Sequence, residues 1–177
     1  MEDFMELALR RQGCRKFSDK TVEHEKLVRC VEAARLAPSA CNSQPWGFVV
    51  VETPEKVAAV AKCAQQMGVN AFTDDAKAFF IVMEEHAVLM PMLRKIVDSQ
   101  TYARQDLGGA VVYLCLEAES QGLGTCPIGL FDRETLCGIL DIPKEKCITL
   151  MIAVGYPAED KVRAKTRKPV EDIARFV

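Results

Sequence analysis

Apolar and polar positions along the chain follow patterns that predict both helices and strands. The run "HEKLVRCVEAARLA" (24–37) places apolar residues at helical spacing with charges opposite, and Pro38 stops it. Compact β-branched runs predict strands at 46–52 and 78–85, and a longer apolar run predicts one at 146–157. Further helices are predicted at 2–12, 54–66, 105–124 and 131–140.

These elements follow one another as helices, strand, helix, strand, helices, strand and tail. This order predicts a mixed α+β layer and not a regularly alternating doubly wound fold. Residues 88–103 are predicted as a loop followed by a helix. The long apolar helix at 105–124 should be central or covered by a partner subunit, with Gly108-Gly109 allowing close packing. We expect residues 1–177 to form a single domain.

Composition limits the classes of partner. The formal net charge is −2, so no global field attracts nucleic acid or an anionic membrane. No apolar run approaches the roughly 20 residues of a membrane span. The first residues, "MEDFMELALRRQ", do not have the pattern of a secretory signal peptide. We therefore expect a cytoplasmic protein.

The eight cysteines form no CxxC pair and no zinc-finger spacing with a histidine, so no metal site is predicted. Most lie in apolar surroundings and are interpreted as small buried hydrophobic residues in a reducing compartment. Cys41 and Cys126 lie in candidate functional segments. For these two a reactive thiol near a redox site is the alternative interpretation.

Two segments are rich in cations. "RRQGCRKF" (10–17) surrounds Gly13 with positive charge, which is typical either of a helix C-terminus or of a phosphate site. "RAKTRKP" (163–169) is either a solvated basic tail or a second part of such a site.

Two further segments have loop character. "QGLGTCPIG" (121–129) is predicted as a glycine-rich loop, which either ends a helix or brings backbone N–H groups against a flat ring. It is not the dinucleotide-binding GxGxxG fingerprint. "PSACNSQPW" (38–46) carries Asn42 and Gln44 beyond what a turn needs, and Trp46 is interpreted as core. Neither histidine has the partners of a hydrolytic triad.

Taken in their order along the chain, these four segments resemble the signatures of the compact, flavin-dependent nitroreductase family. "RRQGCRKF" is similar to its N-terminal Arg-Arg-Ser-x-Arg-x-Phe signature, and "PSACNSQPWGFVVV" to its Pro-Ser-x-x-Asn-x-Gln-Pro-Trp loop and following strand. "GLGTCPIG" is similar to its Gly-Leu-Gly-Thr/Ser-Cys-x-Ile-Gly loop, and "KTRKP" to its C-terminal basic motif. The resemblance runs from residue 10 to residue 169.

The resemblance implies an α+β fold with a central mixed or antiparallel sheet flanked by helices. It implies an intertwined homodimer with FMN at the subunit interface. The implied activity is an NAD(P)H oxidoreductase. NADH or NADPH gives hydride to flavin N5, and a nitroaromatic, quinone or related acceptor then takes it. Because this chemistry lies on the flavin, no catalytic side chain and no metal is implied.

The implied cofactor contacts fall into three groups. Contacts to the phosphate and ribityl end are Arg11, Gln12, Gly13, Lys165 and Arg167. Arg15 would reach the phosphate or the pyrimidine side of the ring. Asn42 and Gln44 would hydrogen-bond to the ring or the ribityl chain. Pro38, Ser39 and Ala40 of the other subunit would pack on the flavin. The backbone N–H of Gly129 would lie at N5, beside Pro127, Ile128 and Leu130.

The chain departs from the family at several of these positions. Gly13 replaces the usual serine, Gln12 replaces a basic residue, and Pro127 stands where compact members often have tryptophan. The segment 84–105, which helps to cover the substrate in the family, is short and leaves the acceptor undefined. Two alternative functions stay open. One is a specialised flavin enzyme of the same family, for reductive dehalogenation or flavin destruction, and the other is a non-enzymatic FMN-binding or storage protein.

Overall fold

Helices pack on both faces of one sheet. The computed structural model describes residues 3–177, apart from the side chain of residue 94, so residue 2 of the predicted helix 2–12 lies outside the description. The helices are α1 (Phe4–Arg10), α2 (His24–Arg35), α3 (Pro54–Cys63), α4 (Ser99–Ser120), α5 (Arg133–Leu140) and α6 (Val170–Ile173). The strands are β1 (Trp46–Val51), β2 (Ala78–Glu84), β3 (Gly124–Ile128) and β4 (Cys147–Gly155).

The sheet has the order β1-β2-β4-β3, and every neighbouring pair is antiparallel. Trp46 lies opposite Glu84, and Gly124 lies opposite Gly155. The predicted α+β class is confirmed. β1 and β3 are the two edge strands, so the segments attached to them lie at opposite edges of the sheet.

Two apolar clusters, one on each face of the sheet, form the core. Side chains alternate along a strand, so β2 contributes Phe79 and Ile81 to one cluster and Phe80 and Val82 to the other. The first cluster includes α3 and α5, and the second includes α2 and α4. Because both faces are covered, β2 is buried along nearly its whole length.

The helix patterns are confirmed with shorter ends. On α2 the buried residues Leu27, Cys30 and Ala34 repeat at helical spacing, whereas Val28, an apolar residue of the same run, is 44% exposed. α3 begins at Pro54 as predicted, although Thr53 makes no capping bond through its side chain. α2 and α3 end at Arg35 and Cys63, before the predicted ends.

Helix α4 begins at Ser99, inside the segment 88–103 that was predicted as a loop followed by a helix, and it continues without a break through the predicted helix 105–124 as far as Ser120. Asp98 supplies the cap, since its Oδ1 accepts a hydrogen bond of 3.1 Å from the Gln100 N–H. The predicted close packing of Gly108-Gly109 is wrong within the chain, because a Cβ added at either would meet nothing within 4 Å. Among residues 3–177 no helix is long and apolar enough to cross a membrane.

The prediction of a loop throughout 121–129 is wrong, because residues 124–128 form the edge strand β3. Glycine and proline disfavour strands, and this segment has no alternating pattern. Pairing with β4 decides its structure instead. Pro127 is tolerated because an edge strand leaves one row of N–H positions without a partner strand.

Candidate functional site

The first cationic segment lies along the free side of β3. The Cys14 N–H donates to the Thr125 carbonyl at 2.9 Å, and Gly13 and Thr125 form a parallel bridge. Phe17 and Pro157 form a second, antiparallel bridge. Two segments separated by more than a hundred residues, 10–17 and 121–129, are therefore neighbours, as the resemblance implies.

The second cationic segment reaches the first. We call residues 161–168 the basic tail. The Arg163 guanidinium donates through Nη2 to the Gly13 carbonyl at 2.6 Å, and the Lys165 ammonium donates to the Arg11 carbonyl at 2.5 Å. Arg167 is exposed and donates to the carbonyl of Thr166, inside the tail itself. The structure thus assembles Arg11, Arg163 and Lys165, while Arg167 makes no described contact with residues 10–17.

The assembled cations have no acidic partner among residues 3–177. Neighbouring cations are paired, Arg10 with Glu119 and Lys16 with Glu159. No ion pair involves Arg11, Arg163 or Lys165 within the described part of the chain. The Arg11 Nε atom is buried and has no hydrogen-bond partner among the described residues. A buried donor without an acceptor is rare in folded proteins and points to a ligand atom as its partner.

Arg15 lies on the same segment but in different surroundings. Its side chain is exposed, and its guanidinium carbon lies 6.0 Å from the centre of the Phe72 ring. An ideal Cβ built on Gly13 would lie 3.9 Å from both the Arg15 Nη1 and the Cys126 Sγ. Gly13, Arg15 and Cys126 are therefore close together beside β3.

The thiols at this site are not set up for reaction. Burial raises the pKa of Cys126, and this outweighs the opposing effect of Arg15 and Arg11. Burial also raises the pKa of Cys14. Both therefore stay protonated at neutral pH, which disfavours the reactive-thiol interpretation of Cys126. Cys41 is the exposed cysteine of the described residues, while five are buried and two are half-buried.

The segment that follows β3 has an exposed backbone at Gly129. Gly129 is exposed, and a Cβ added there would meet only the Leu150 Cδ2, at 4.0 Å. Leu130 is 48% exposed, Pro127 is half-buried, and the side chain of Ile128 packs inside the core. Of the predicted contacts here, Ile128 has only its backbone available to a ligand.

The loop 38–45 has an unusual backbone. Cys41, Asn42 and Gln44 all have positive φ, between 50° and 53°, which is uncommon for residues other than glycine. The Ser39 hydroxyl accepts the Gln44 N–H at 3.0 Å. The Asp106 carboxylate accepts the Ala40 N–H at 3.0 Å. Hydrogen bonds inside the loop and one to α4 therefore hold the loop in a backbone conformation of high free energy. Such strained conformations are typical of functional sites.

This loop does not meet the cations within one chain. Its described hydrogen bonds reach Asp106, Val88 and Glu85 but none of residues 10–17 or 161–168. It enters β1, whereas the cations border β3, three strand spacings away, which is about 14 Å. Trp46, predicted as core, is half-buried and packs against the cluster beneath α2 and α4.

A groove borders the cationic segment. It measures about 850 Å³, and its lining includes Gln12, Gly13, Arg15 and Arg163. Arg11, Lys165 and Gly129 do not line it. The groove therefore takes in only part of the predicted cofactor contacts. No group of three or more His, Cys, Asp or Glu side chains in the described range is arranged to hold a metal ion.

Two residues at this site were missed as site residues by sequence reasoning. Arg163 was recognised as part of a basic segment, but nothing local distinguishes it from the exposed Arg167. Asp106 lies in the middle of a helical pattern, where a carboxylate is normally a solvated surface group. Its role depends on a contact with Ala40 across 66 positions of sequence.

Comparison with known proteins assigns the family. The family model described as "Nitroreductase family" matches residues 8–156. A Streptococcus pyogenes protein, provisionally named an NAD(P)H nitroreductase, is 31% identical over 96% of this chain and 97% of its own length. The Bacillus subtilis FMN reductase [NAD(P)H] is 27% identical over 92% of this chain and 68% of its own length.

A solved structure agrees with this assignment. The crystal structure of a nitroreductase family protein from Streptococcus pneumoniae superposes with a TM-score of 0.84 at 27% identity, covering 99% of this chain and 100% of that one. The match extends across the sheet, the flanking helices and the basic tail. The chain belongs to the nitroreductase family.

Proposed function

We propose that the protein is an FMN-dependent NAD(P)H oxidoreductase that reduces a small acceptor such as a nitroaromatic or a quinone. The observation that supports this most directly is the set of cations at residues 11, 163 and 165, which has no acidic partner in the described chain. A phosphate monoester carries close to two negative charges at neutral pH and binds arginine through charge-assisted hydrogen bonds. The orphaned Arg11 Nε fits such a ligand.

Each part of the site has a proposed task. Arg11 and Lys165 bind the phosphate, and the exposed backbone of Gly129 faces the ring. Arg15 places positive charge near the pyrimidine side, which raises the reduction potential of a flavin. Bound FMN supplies the hydride chemistry. The protein binds, orients and shields it, so no acid, base or nucleophile among the side chains is required.

We propose further that the site is shared between two copies of the chain. The loop 38–45 lies at the β1 edge, across the sheet from the cations of the same chain. A second copy can bring its loop to the cations without crossing the sheet. In this arrangement all five loop contacts come from the partner subunit: Pro38, Ser39, Ala40, Asn42 and Gln44. The resemblance instead divides them between the two subunits.

The names of two relatives support the donor and the cofactor. One is named an NAD(P)H nitroreductase and the other an FMN reductase. A storage protein with the same fold would bind FMN through the same residues. The two functions differ in whether a nicotinamide donor reduces the bound flavin.

The test begins with the purified protein. We expect it to be yellow and to release FMN on denaturation. A colourless protein that cannot take up added FMN would contradict the proposal. Anaerobic titration with NADH and NADPH then distinguishes an enzyme, whose flavin absorbance bleaches, from a storage protein, whose absorbance persists with both donors.

A second test addresses the phosphate contacts. Replacing Arg11 by Met removes a charge-assisted contact, which should cost about 1.5–3 kcal/mol of FMN binding energy. Arg167→Met should have a smaller effect, because Arg167 is exposed. Riboflavin, which lacks the phosphate, should bind both variants as it binds the unmodified protein. Arg133→Met, an exposed cation on α5 without a described hydrogen bond, serves as the control. Equal FMN affinities throughout would contradict the phosphate assignment.

A further inference from the structure

The basic tail is attached to the protein almost entirely by side chains. Regular backbone pairing ends where the Ala158 N–H donates to the Lys16 carbonyl at 3.1 Å. Residues 161–169 form no helix or strand, and in the described chain no backbone-to-backbone hydrogen bond involves 159–168. The position of the tail cations therefore depends on which side chains hold this segment.

Gln12 makes the largest share of these attachments. Its Nε2 donates to the Lys161 carbonyl at 2.7 Å. Its Oε1 accepts from the backbone N–H of Arg163 at 3.2 Å and from the Arg163 Nε at 3.0 Å. Both the nitrogen and the oxygen of the Gln12 amide therefore bond to the tail. Their partners are the Lys161 carbonyl, the Arg163 backbone N–H and the Arg163 guanidinium.

Only an amide of this length satisfies all three groups. A lysine at position 12 could donate to the Lys161 carbonyl but could not accept from Arg163. A glutamate could accept but would lose the donor. A neutral residue also adds no charge to a cluster that already holds Arg11, Arg163 and Lys165 without acids. Like charges at short range repel, so a further cation would oppose docking of the tail.

We propose that Gln12 is a positioning residue that locks the basic tail onto residues 11–13 before the cofactor binds. Its amide acts through Arg163 and Lys165, and it does not touch the cofactor. The docking of the tail by Gln12 can be tested without FMN. Only its effect on FMN binding rests on the proposed function.

The first test uses the full chain freed of FMN. Trypsin cleaves after Lys165 only when its ammonium leaves the Arg11 carbonyl. Gln12→Met keeps the length of the side chain and removes its hydrogen bonds. If the tail is docked in about nine molecules in ten of the unmodified protein and in about one in ten of the variant, scission after Lys165 should be about ninefold faster in the variant, since proteolysis follows the population of the open form. Gln105→Met, at an exposed glutamine of α4 without a described hydrogen bond, should cleave at the unmodified rate.

The second test measures binding. Gln12→Met should weaken FMN about tenfold, in proportion to the loss of the docked tail, and leave riboflavin unchanged. Arg163→Met should weaken FMN similarly. The double variant should be little weaker than either single one, because both act through the same docked state. Additive losses would mean that Gln12 contacts the cofactor directly and would overturn the proposal.

The two tests fail separately from the proposed function. Equal scission rates for Gln12→Met and the unmodified protein would overturn the positioning role even if FMN binds tightly. A protein that takes up no FMN would overturn the proposed function, while faster scission in the variant would still support the role of Gln12 in holding the tail.

Discussion

At the scale of single residues, two glycines decide whether the cationic segment can lie on the sheet. Gly124 and Gly155 are opposite each other on β3 and β4. A Cβ on Gly124 would lie 2.6 Å from the Cys14 Cβ, and one on Gly155 would lie 2.9 Å from the Phe17 Cδ1. Both distances are shorter than any real contact of this kind. The absence of these two side chains is what admits the segment that carries Arg11 to Arg15.

We therefore expect Gly124→Ala to destabilise the protein by about 1–3 kcal/mol, as overpacking does. Gly138→Ala is the matched control, since Gly138 is exposed in α5 and an added Cβ would meet nothing within 4 Å. It should stabilise the protein by about 0.5–1 kcal/mol through helix propensity. Urea unfolding measures both. A Gly124→Ala variant as stable as the unmodified protein would mean that the segment does not press on β3.

At the scale of elements, helix α4 holds the loop 38–45 in its strained form. Asp106 accepts the Ala40 N–H from one side, while the Ser39 hydroxyl and the Gln44 N–H close the loop internally. Three non-glycine residues at positive φ cost free energy that these bonds must offset. The conformation of the loop therefore depends on its contact with α4 as well as on its own residues.

Replacing Asp106 by Ala should release the loop, with a loss of about 1.5–3 kcal/mol for a hydrogen bond to a charged group. Asp106→Asn keeps an acceptor oxygen and should lose less. Hydrogen exchange of the amides at 39–44 should accelerate in the alanine variant, ahead of exchange in β2. Unchanged exchange in this loop would show that α4 does not hold it.

At the scale of the whole molecule, apolar surface is left uncovered along α1 and α4. Phe4, Met5 and Leu9 are 62%, 60% and 57% exposed, and α1 has no buried residue in the described chain. On α4, Val112 is 54% exposed and Tyr113 is 43% exposed. A helix of seven residues is not stable alone in water. We propose that a second copy of the chain covers this surface, as the shared site requires.

Sedimentation should accordingly give a dimer that dissociates when Val112 is replaced by Asp, because the change places a charge in an apolar interface. Met67→Asp is the control, since Met67 is 90% exposed and lies away from α1 and α4 in sequence. The monomeric variant should also lose FMN, since it lacks the partner loop. A stable, FMN-loaded monomer of the unmodified protein would refute the shared site.

Helices α1 to α5 and three of the four strands follow from local periodicity, whereas α6 lies in the segment predicted only as a tail. The pattern of α2 indicates its buried face, whereas the continuous apolar runs of β1, β2 and β4 indicate strands without selecting one face. β3 was missed because its glycines and proline carry no strand pattern, and pairing with β4 decides its structure. Helix α4 joins the helix predicted within 88–103 to the one predicted at 105–124, and Asp98 caps its start.

The sequence by itself determined the order of elements, the family signatures and the cations available for an anionic ligand, because these depend on residue type and short spacing. Only the tertiary structure decided that residues 11–13 and 161–165 meet, that Gln12 holds the tail, and that the loop 38–45 lies at the opposite edge of the sheet. Each of these depends on contacts between residues far apart in sequence. Such contacts are set by strand order and packing, which no local pattern encodes.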